Sequence, residues 1–367
     1  MRKKLRIAIL YNEPVVGTEA SRKYISENGQ LQEGPGISAR ARRRSKNTIP
    51  AGVDMSEVGV VEEMEDIKEA LMSLGYKATV FNVDSKVDRL IRFLQEEKPD
   101  LIFNLVECIE NESVLEMNVA ALYELLKIPY TGAGPLALGT ALHKPRVKEI
   151  LTANGIRTPL HQVFKVSDRI VLKEEMTFPL IVKPSHEDAS VGISDRSVVE
   201  SMNELRRQVR FIWEEFEQPA LVEQYIEGRE LNVAIMGNRK PIALPISEID
   251  FSGLHPDMRH IVSYAAKWLN GTVEYHGTKG VCPAELSPKI EAELKETALK
   301  CYELIGCRDY ARVDFRLTAD GTAYVLEVNP NPDISDDAGF ARSAKAYGLS
   351  FPQIIGKIVE SALERAQ

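Results

Sequence analysis

The segment Arg312-Val-Asp-Phe-Arg-Leu-Thr-Ala-Asp-Gly-Thr-Ala-Tyr-Val-Leu-Glu-Val-Asn329 concentrates the residues best suited to chemistry. Asp320-Gly321 between two strand-like runs is a strong hairpin signal. A ladder symmetric about that pair opposes residues whose numbers sum to 641, so Asp314 faces Glu327 and Arg312 faces Asn329. The two-residue strand period puts all four on one face, with apolar Val313, Phe315, Leu326 and Val328 between them in sequence. Opposed residues have Cβ atoms about 5 Å apart, where like charges repel. Two facing carboxylates therefore call for a cation. Asp314, Glu327 and Asn329 offer hard oxygens, a set that suits Mg²⁺, which completes its shell with water and phosphate. Arg312 can hold a phosphate or a developing oxyanion through two parallel hydrogen bonds. A solvent-facing polar strand closed by salt bridges accounts for any one of these residues, but poorly for the four together.

Other cations lie upstream. The strand-like Leu180-Ile-Val-Lys-Pro184 ends on Lys183, and Ser185–Ser194 after it is small, polar and glycine-containing. Such a loop can close over phosphates with its backbone N–H groups. His186 within it reads as a loop residue, not a metal ligand. Lys144 and Lys267 are further candidates for phosphate contact. No GxxxxGK[ST] is present, which disfavours a Walker-type phosphate loop. In Ala220-Leu-Val-Glu-Gln-Tyr-Ile-Glu-Gly-Arg-Glu230, the backbone through Glu223, Gln224 and Ile226 can read an adenine edge. Glu223 and Glu230 are placed to take the amino group and the ribose hydroxyls. Gly132-Ala-Gly-Pro-Leu-Ala137 fits G-x-G-x-x-A. It follows a three-residue strand and does not open the first βαβ unit, so dinucleotide binding is not expected.

The elements that must position these residues read as α/β. Leu5–Tyr11, Ala78–Phe81 and Leu101–Val106 are strand-like; Val58–Leu74, with Ser56 as cap and Gly75 as stop, and Val87–Glu96 are helical. That alternation implies a parallel sheet covered by helices. Gly34–Pro50, with four arginines and Lys46, reads as a basic insertion loop. Ile128–Tyr130 leads into Thr131-Gly-Ala-Gly-Pro-Leu-Ala and a helical stretch through Leu151. Strands follow at Gln162–Val166, Leu180–Lys183 and Ala220–Tyr225, with a helix at Ser201–Phe216. After Glu230 come two strands joined at Gly237-Asn238, a helix at Ser287–Leu304, the acidic hairpin, and helices at Ala338–Tyr347 and Phe351–Arg365. The expected lobes are 1–128, 129–228 and 229–367.

The chain has 367 residues, with 46 Lys and Arg against 54 Asp and Glu, a net charge of −8. An acidic balance argues against a general nucleic-acid binder. No apolar run reaches the length of a membrane span, and Met1-Arg-Lys-Lys-Leu-Arg leads straight into a strand, not a signal peptide. Cys108, Cys282, Cys301 and Cys307 form no CxxC, so a reducing cytoplasm is the expected location.

These pieces, in this order, resemble the ATP-grasp superfamily and, within it, the D-alanine–D-alanine ligases. The stretches that carry the resemblance include YTGAGPLALGTALHK (130–144), IVKPSHEDASVGIS (181–194), VEQYIEGRE (222–230), AAKW (265–268), RVDFR (312–316) and LEVNPNP (326–332). The resemblance implies an ATP-grasp fold with a parallel-sheet N-terminal domain and ATP between the second and third lobes. It puts Lys144, Lys183 and Lys267 on the phosphates, and Glu223, Gln224, Ile226 and Glu230 on the nucleoside. Asp314, Glu327 and Asn329 would ligate Mg²⁺ or Mn²⁺, and Arg312, Lys267 and Ser190 would be the catalytic set. The activity implied is carboxylate–amine ligation of amino acids through an acyl phosphate, in cell-wall precursor synthesis, by a homodimer. A ligase with another acceptor and a catalytically silent ATP sensor are the alternatives. Arg312 beside both carboxylates argues against the sensor, since binding alone needs no oxyanion clamp.

The departures from the family all fall on the amino-acid side. Leu105-Val106-Glu107 replaces Leu-His-Gly, Ala189 replaces a Ser, and Trp268 replaces a Tyr or Phe. Ala338 stands where the family has a carboxylate-binding Ser, and Asp333 adds a negative charge nearby. These changes lead to the expectation that D-alanine is a poor acceptor beside one whose carboxylate is blocked or distant. Glu13 and Glu57 are alternatives for orienting the first amino acid.

Overall fold

Strand β1, Arg6–Tyr11, buries its apolar run on both faces, as a central parallel strand must. The computed structural model describes residues 4–12, 22–25, 31–34, 59–84, 86–109, 112–187, 190–269 and 271–366. The basic loop beyond Gly34, Ser56, Glu13, Glu57, Asp188 and Ala189 lie outside them. Strands β2 (Arg22–Ile25) and β3 (Leu31–Gly34) form an antiparallel pair. Helix α1 (Gly59–Ser73), β4 (Lys77–Asn82), α2 (Val87–Glu97) and β5 (Leu101–Leu105) complete a parallel sheet in the order β4-β1-β5. Gly75 follows α1 at φ +88°, the left-handed conformation that ends a helix and that glycine adopts without a Cβ penalty.

Helices α3 (Glu116–Leu125), α4 (Pro135–Leu142) and α5 (Lys144–Ala153) follow. The sequence reading has no α3, and it runs α4 and α5 together. The break at His143 has a cause: Pro145 has no N–H, and its ring opposes the carbonyl four residues back, so the helix restarts at Lys144. A second sheet, ordered β6-β9-β7-β8, comprises β6 (His161–Phe164), β7 (Leu180–Pro184), β8 (Val198–Val199) and β9 (Ala220–Gln224). Helix α6 (Met202–Phe216), capped by Ser201, covers it and closes a core of its own around Leu180, Val182, Val209 and Val222.

The largest sheet is ordered β13-β12-β10-β14-β15, with β11 added on β10. Its strands are β10 (Arg229–Met236), β11 (Ile242–Ala243), β12 (Ser247–Asp250), β13 (Lys279–Val281), β14 (Tyr310–Leu317) and β15 (Ala323–Asn329). Between β12 and β13 lie the short helices α7 (Tyr264–Trp268) and α8 (Val273–Gly277); α9 (Pro288–Ile305), α10 (Gly339–Ala346) and α11 (Phe351–Arg365) complete the chain. Leu231, Val233 and Ile235 of β10, with Ala311, Val313 and Phe315 of β14, share one core with α3–α5 and α9. The opposite sheet face shares a core with α1, α10, α11 and the first sheet. Among the described residues, no helix is long and apolar enough to cross a membrane.

The G-x-G-x-x-A segment serves this packing. Gly132 sits at φ +87°, and a Cβ there would stand 2.5 Å from Asn331 Oδ1. Its N–H donates to Asp309 Oδ2 at 2.9 Å, and Ala133 N–H donates to Asn331 Oδ1 at 2.9 Å. Asp309, fully buried, also accepts from Asn238 Nδ2 at 2.9 Å and from Arg365 at 2.8 and 2.6 Å. One carboxylate thus ties the glycine turn, the β10–β11 loop and the last helix. Asp309→Ala strands these donors and should cost about 3 kcal/mol, measured as the shift of the urea unfolding midpoint.

Candidate active site

The site face of the large sheet follows from the period of two. Asn232 of β10 pairs in register with Asp314 of β14, which pairs with Glu327 of β15. Arg312 pairs with Asn329, and Glu230 with Arg316. The opposition of Asp314 to Glu327 is the one expected from a symmetric turn, but it arises differently. The strands end at Leu317 and Ala323, so five residues form the loop, and near it the paired numbers sum to 640. A bulge between Val325 and Glu327 restores the register at the carboxylates. Val325 and Val328, three apart, then both enter the core, whereas Leu326 lines the cleft instead of the apolar back face.

Asp314 is 6% exposed and fully engaged. Arg312 donates to it through Nε and Nη2, each at 2.8 Å, Asn232 Nδ2 at 2.7 Å, and Asn329 Nδ2 at 3.0 Å. Asn329 also donates to Glu327 Oε1 at 3.2 Å. Burial pushes the Asp314 carboxyl up, and Arg312 opposes that shift. Burial would raise Glu327 too, but Lys144, Arg312 and Lys183 hold it at about 2. Among the described residues no three Asp, Glu, His or Cys side chains gather into a metal cage. Two carboxylates and an amide on adjacent strands instead match a hard cation that keeps water and phosphate oxygens in its shell.

Glu223, on β9, lies between two lysines. Lys148 Nζ is 2.5 Å from one carboxylate oxygen and Lys183 Nζ 2.7 Å from the other, with Glu223 and Lys148 both nearly inaccessible. Lys148 also donates to Thr158 Oγ1 at 2.8 Å and to the bulge carbonyl of Leu326 at 3.4 Å. Burial alone would raise Glu223, yet Lys148 and Lys183 hold it at about 2, and burial lowers Lys148. Glu230 pairs with Arg316 at 2.8 Å; burial raises its carboxyl against that arginine. The Gln224 N–H is spent on Leu160 O at 2.8 Å.

Twelve of the residues singled out in sequence line one cleft of roughly 1600 Å³: Lys144, Lys183, Ser190, Glu223, Gln224, Ile226, Glu230, Lys267, Arg312, Asp314, Glu327 and Asn329. Ser190, at φ +62°, donates its hydroxyl to Val262 O at 2.9 Å and so fastens the glycine-containing loop to the segment before α7. Lys267 Nζ stands 4.8 Å from the centre of the Trp268 ring. His186 lies 3.1 Å from His143, ring nitrogen to ring nitrogen.

Several features in and behind the cleft escape the sequence reading. Lys148 lies one helical turn after Lys144, a spacing that marks a shared face. Asn232 and Arg316 follow from the β10 register, which a hairpin alone does not reveal. Ile181, Tyr225 and Ile261 form a small apolar cluster at the cleft wall. Glu63, on α1, accepts from Ile334 N–H at 3.1 Å and is pushed well up by burial, with Asp333 and Glu107 adding to the shift.

A carboxylate whose folded pKa lies below its unfolded value stabilises the fold at pH above the unfolded pKa. For Glu223 that contribution is lost as pH falls from about 4.5 to about 2. Lys148→Met leaves the carboxylate buried with one lysine. It should cost about 3 kcal/mol at pH 7 and move acid unfolding to higher pH, read by urea titrations between pH 7 and pH 2.

The family profile described as D-ala D-ala ligase C-terminus matches residues 153–360. The D-alanine–D-alanine ligase of Bordetella petrii is 30% identical over 298 residues, covering 81% of this chain and 85% of that one. That of Carboxydothermus hydrogenoformans is 31% identical over 311 residues, covering 82% and 92%. The uncharacterized protein y4sG of Sinorhizobium fredii is 33% identical over 265 residues, 72% of this chain and 75% of that one. In fold, the chain is similar to the crystal structure of D-alanine–D-alanine ligase from Bacillus anthracis complexed with ATP. The TM-score is 0.70 at 22% identity, over 99% of this chain and 98% of that one. The profile covers more than half of the sequence and the two ligases reach across four fifths of it, so the chain belongs to the D-alanine–D-alanine ligase family, on the ATP-grasp fold.

Proposed function

We propose that the chain is an ATP-dependent carboxylate–amine ligase that joins D-alanine to an amino-acid acceptor. The observation that carries this reading is the ladder Asn232–Asp314–Glu327 with Arg312 locked beside it. It sets two carboxylates, an amide and a guanidinium in one cleft with Lys144, Lys183 and Lys267. Asp314, Glu327 and Asn329 would hold Mg²⁺, or Mn²⁺ in its place, which supplies charge neutralisation at the phosphates. Lys144, Lys183 and Lys267 bind the phosphates. Glu230 holds the ribose, and the strand end at Glu223–Ile226, beside the apolar cluster of Ile181, Tyr225 and Ile261, takes the base. Glu223 contributes chiefly by fixing Lys183 and Lys148.

In the reaction we infer, an oxygen of the first substrate's carboxylate attacks the terminal phosphorus of ATP. The bond to the bridging oxygen breaks and ADP leaves an acyl phosphate. The acceptor amine then attacks the acyl carbon, the carbon–oxygen bond to phosphate breaks, and a proton is released. Arg312 faces the oxyanion of the second step, and Ser190 keeps the loop across the cleft. Catalysis is positioning and electrostatic stabilisation, the usual means for phosphoryl transfer. The working division into lobes 1–128, 129–228 and 229–367, a cytoplasmic location and a homodimer belong to the same reading. The thiols, all free among the described residues, fit a reducing compartment.

Phosphate release and dipeptide formation from ATP, Mg²⁺ and a panel of D- and L-amino acids test the activity. ATP binding without turnover across the panel would leave only the sensor reading. Glu327→Gln should abolish turnover while leaving Tm within a few degrees of wild type, because Arg312 keeps Asp314. Asp314→Asn should abolish turnover and also destabilise by about 3 kcal/mol, because it leaves the buried Arg312 guanidinium without its partner.

A further inference from the structure

We propose that Arg342 binds the carboxylate of the incoming amino acid and so selects an acceptor with a free carboxylate. The inference rests on the ligase reading and names a specificity residue for it. Arg342 lies in the first turn of α10 and lines the cleft. The start of that helix abuts Arg312: a Cβ on Gly339 would stand 3.9 Å from Arg312 Cδ. An acceptor whose amine reaches the acyl carbon beside Arg312 therefore lies within the space that α10 bounds.

The guanidinium occupies a built seat. Nη1 donates to Ser247 Oγ at 2.9 Å, and Nη2 donates to the Asp337 backbone carbonyl at 3.1 Å. Ser247 is fully buried. Beneath the guanidinium, β13 has Gly280, where a Cβ would come within 1.9 Å of Arg342 Cζ, so a side chain there would evict it. These contacts orient the charge without neutralising it. The other cleft arginines are committed, Arg312 to Asp314 and Arg316 to Glu230. Arg342 makes no ion pair with any carboxylate among the described residues. Burial lowers its pKa and the repulsion of Arg312 adds to that, against the opposing pull of Cys282 and Asp337. A carboxylate arriving between the two guanidiniums relieves their repulsion and gains charge-assisted hydrogen bonds.

Two acidic side chains of the cleft are turned to other work. Asp333 Oδ1 accepts from Ser335 N–H at 2.9 Å and from the Ser335 hydroxyl, and Glu63 accepts from Ile334 N–H. Ala338 offers no side-chain donor, but Arg342 N–H bonds to Ala338 O at 2.9 Å, one turn on, so the guanidinium side chain rises from the same helix end. Arg342 thus runs counter to the expectation of poor carboxylate binding drawn from Ala338 and Asp333, and the competition below decides between them.

The test is a competition. Wild type receives ATP, Mg²⁺ and equal concentrations of D-alanine and D-alaninamide, and the dipeptide and dipeptide amide are counted by mass spectrometry. D-alaninamide has no carboxylate to activate, so it enters only as acceptor. Wild type should favour the free acid by about tenfold or more, the scale of a charged hydrogen-bond pair. Arg342→Gln should bring the ratio near one, and Arg342→Lys should keep part of the preference. The ratio is internal to each reaction, so a fall in total rate cannot imitate the effect. An equal or amide-favouring ratio in wild type overturns the proposal without recourse to any variant, as does a ratio unchanged in Arg342→Gln. No D-alanyl product of either kind from wild type also overturns the proposal, and the amino-acid panel then decides the ligase reading by itself.

Discussion

A carboxylate shut away from water must be met by donors on every side, and Asp314 imposes that condition on the large sheet. It takes two hydrogen bonds from Arg312 and one each from Asn232 and Asn329. These donors come from three strands, so β10 must flank β14 on one side and β15 on the other. Leaving any of them unpaired in this setting costs more than the bond itself is worth. The same strands turn Val233, Val313 and Val328 into the opposite core. Apolar burial and charge compensation therefore select one register, and Glu327 is brought opposite Asp314 as part of it.

Glu223 does for the second sheet what Asp314 does for the third. Its lysines come from different elements: Lys183 from the neighbouring strand β7 and Lys148 from helix α5, which packs with the large sheet. The second sheet has its own apolar core, so this ion pair is one of its polar ties to the rest. Burying such a triad adds little net stability, but it fixes Lys183 at the cleft wall. Asp309 joins the glycine turn, the β10–β11 loop and the last helix in the same manner, through Gly132, Asn238 and Arg365.

Much of this was legible in the residues themselves. The strands around Leu5–Tyr11, Leu101–Val106 and Tyr310–Leu317 announce themselves as apolar runs, and α6 and α9 by their serine caps and 3.6-residue period. Helix α3 was not, because the N-cap before Glu116-Met-Asn-Val-Ala-Ala-Leu is Leu115, the end of a short 3₁₀ turn, with no side-chain bond to mark the start. The segment from Ser247 to Val281 escaped for a similar reason: its elements are three to five residues long, and its strands depend on pairing, β12 with β10 and β13 with β12. In the site, the acidic hairpin could be read locally, because its partners lie on one hairpin. Lys148, Asn232 and Arg342 could not, because each matters through a neighbour far away in sequence.

The bulge at Leu326 bears on how such sites can be found. Asp314 and Glu327 face each other because an extra residue in β15 absorbs the parity change left by a five-residue loop. The interval between the two carboxylates is thus the sum of a loop length and a ladder defect, neither of which touches the chemistry. A chain with a longer loop, or with the same loop and no bulge, could present the same pair at a different interval. A search pattern that fixes the count would miss such chains, and one that fixes the facing residues and lets the count vary would recover them.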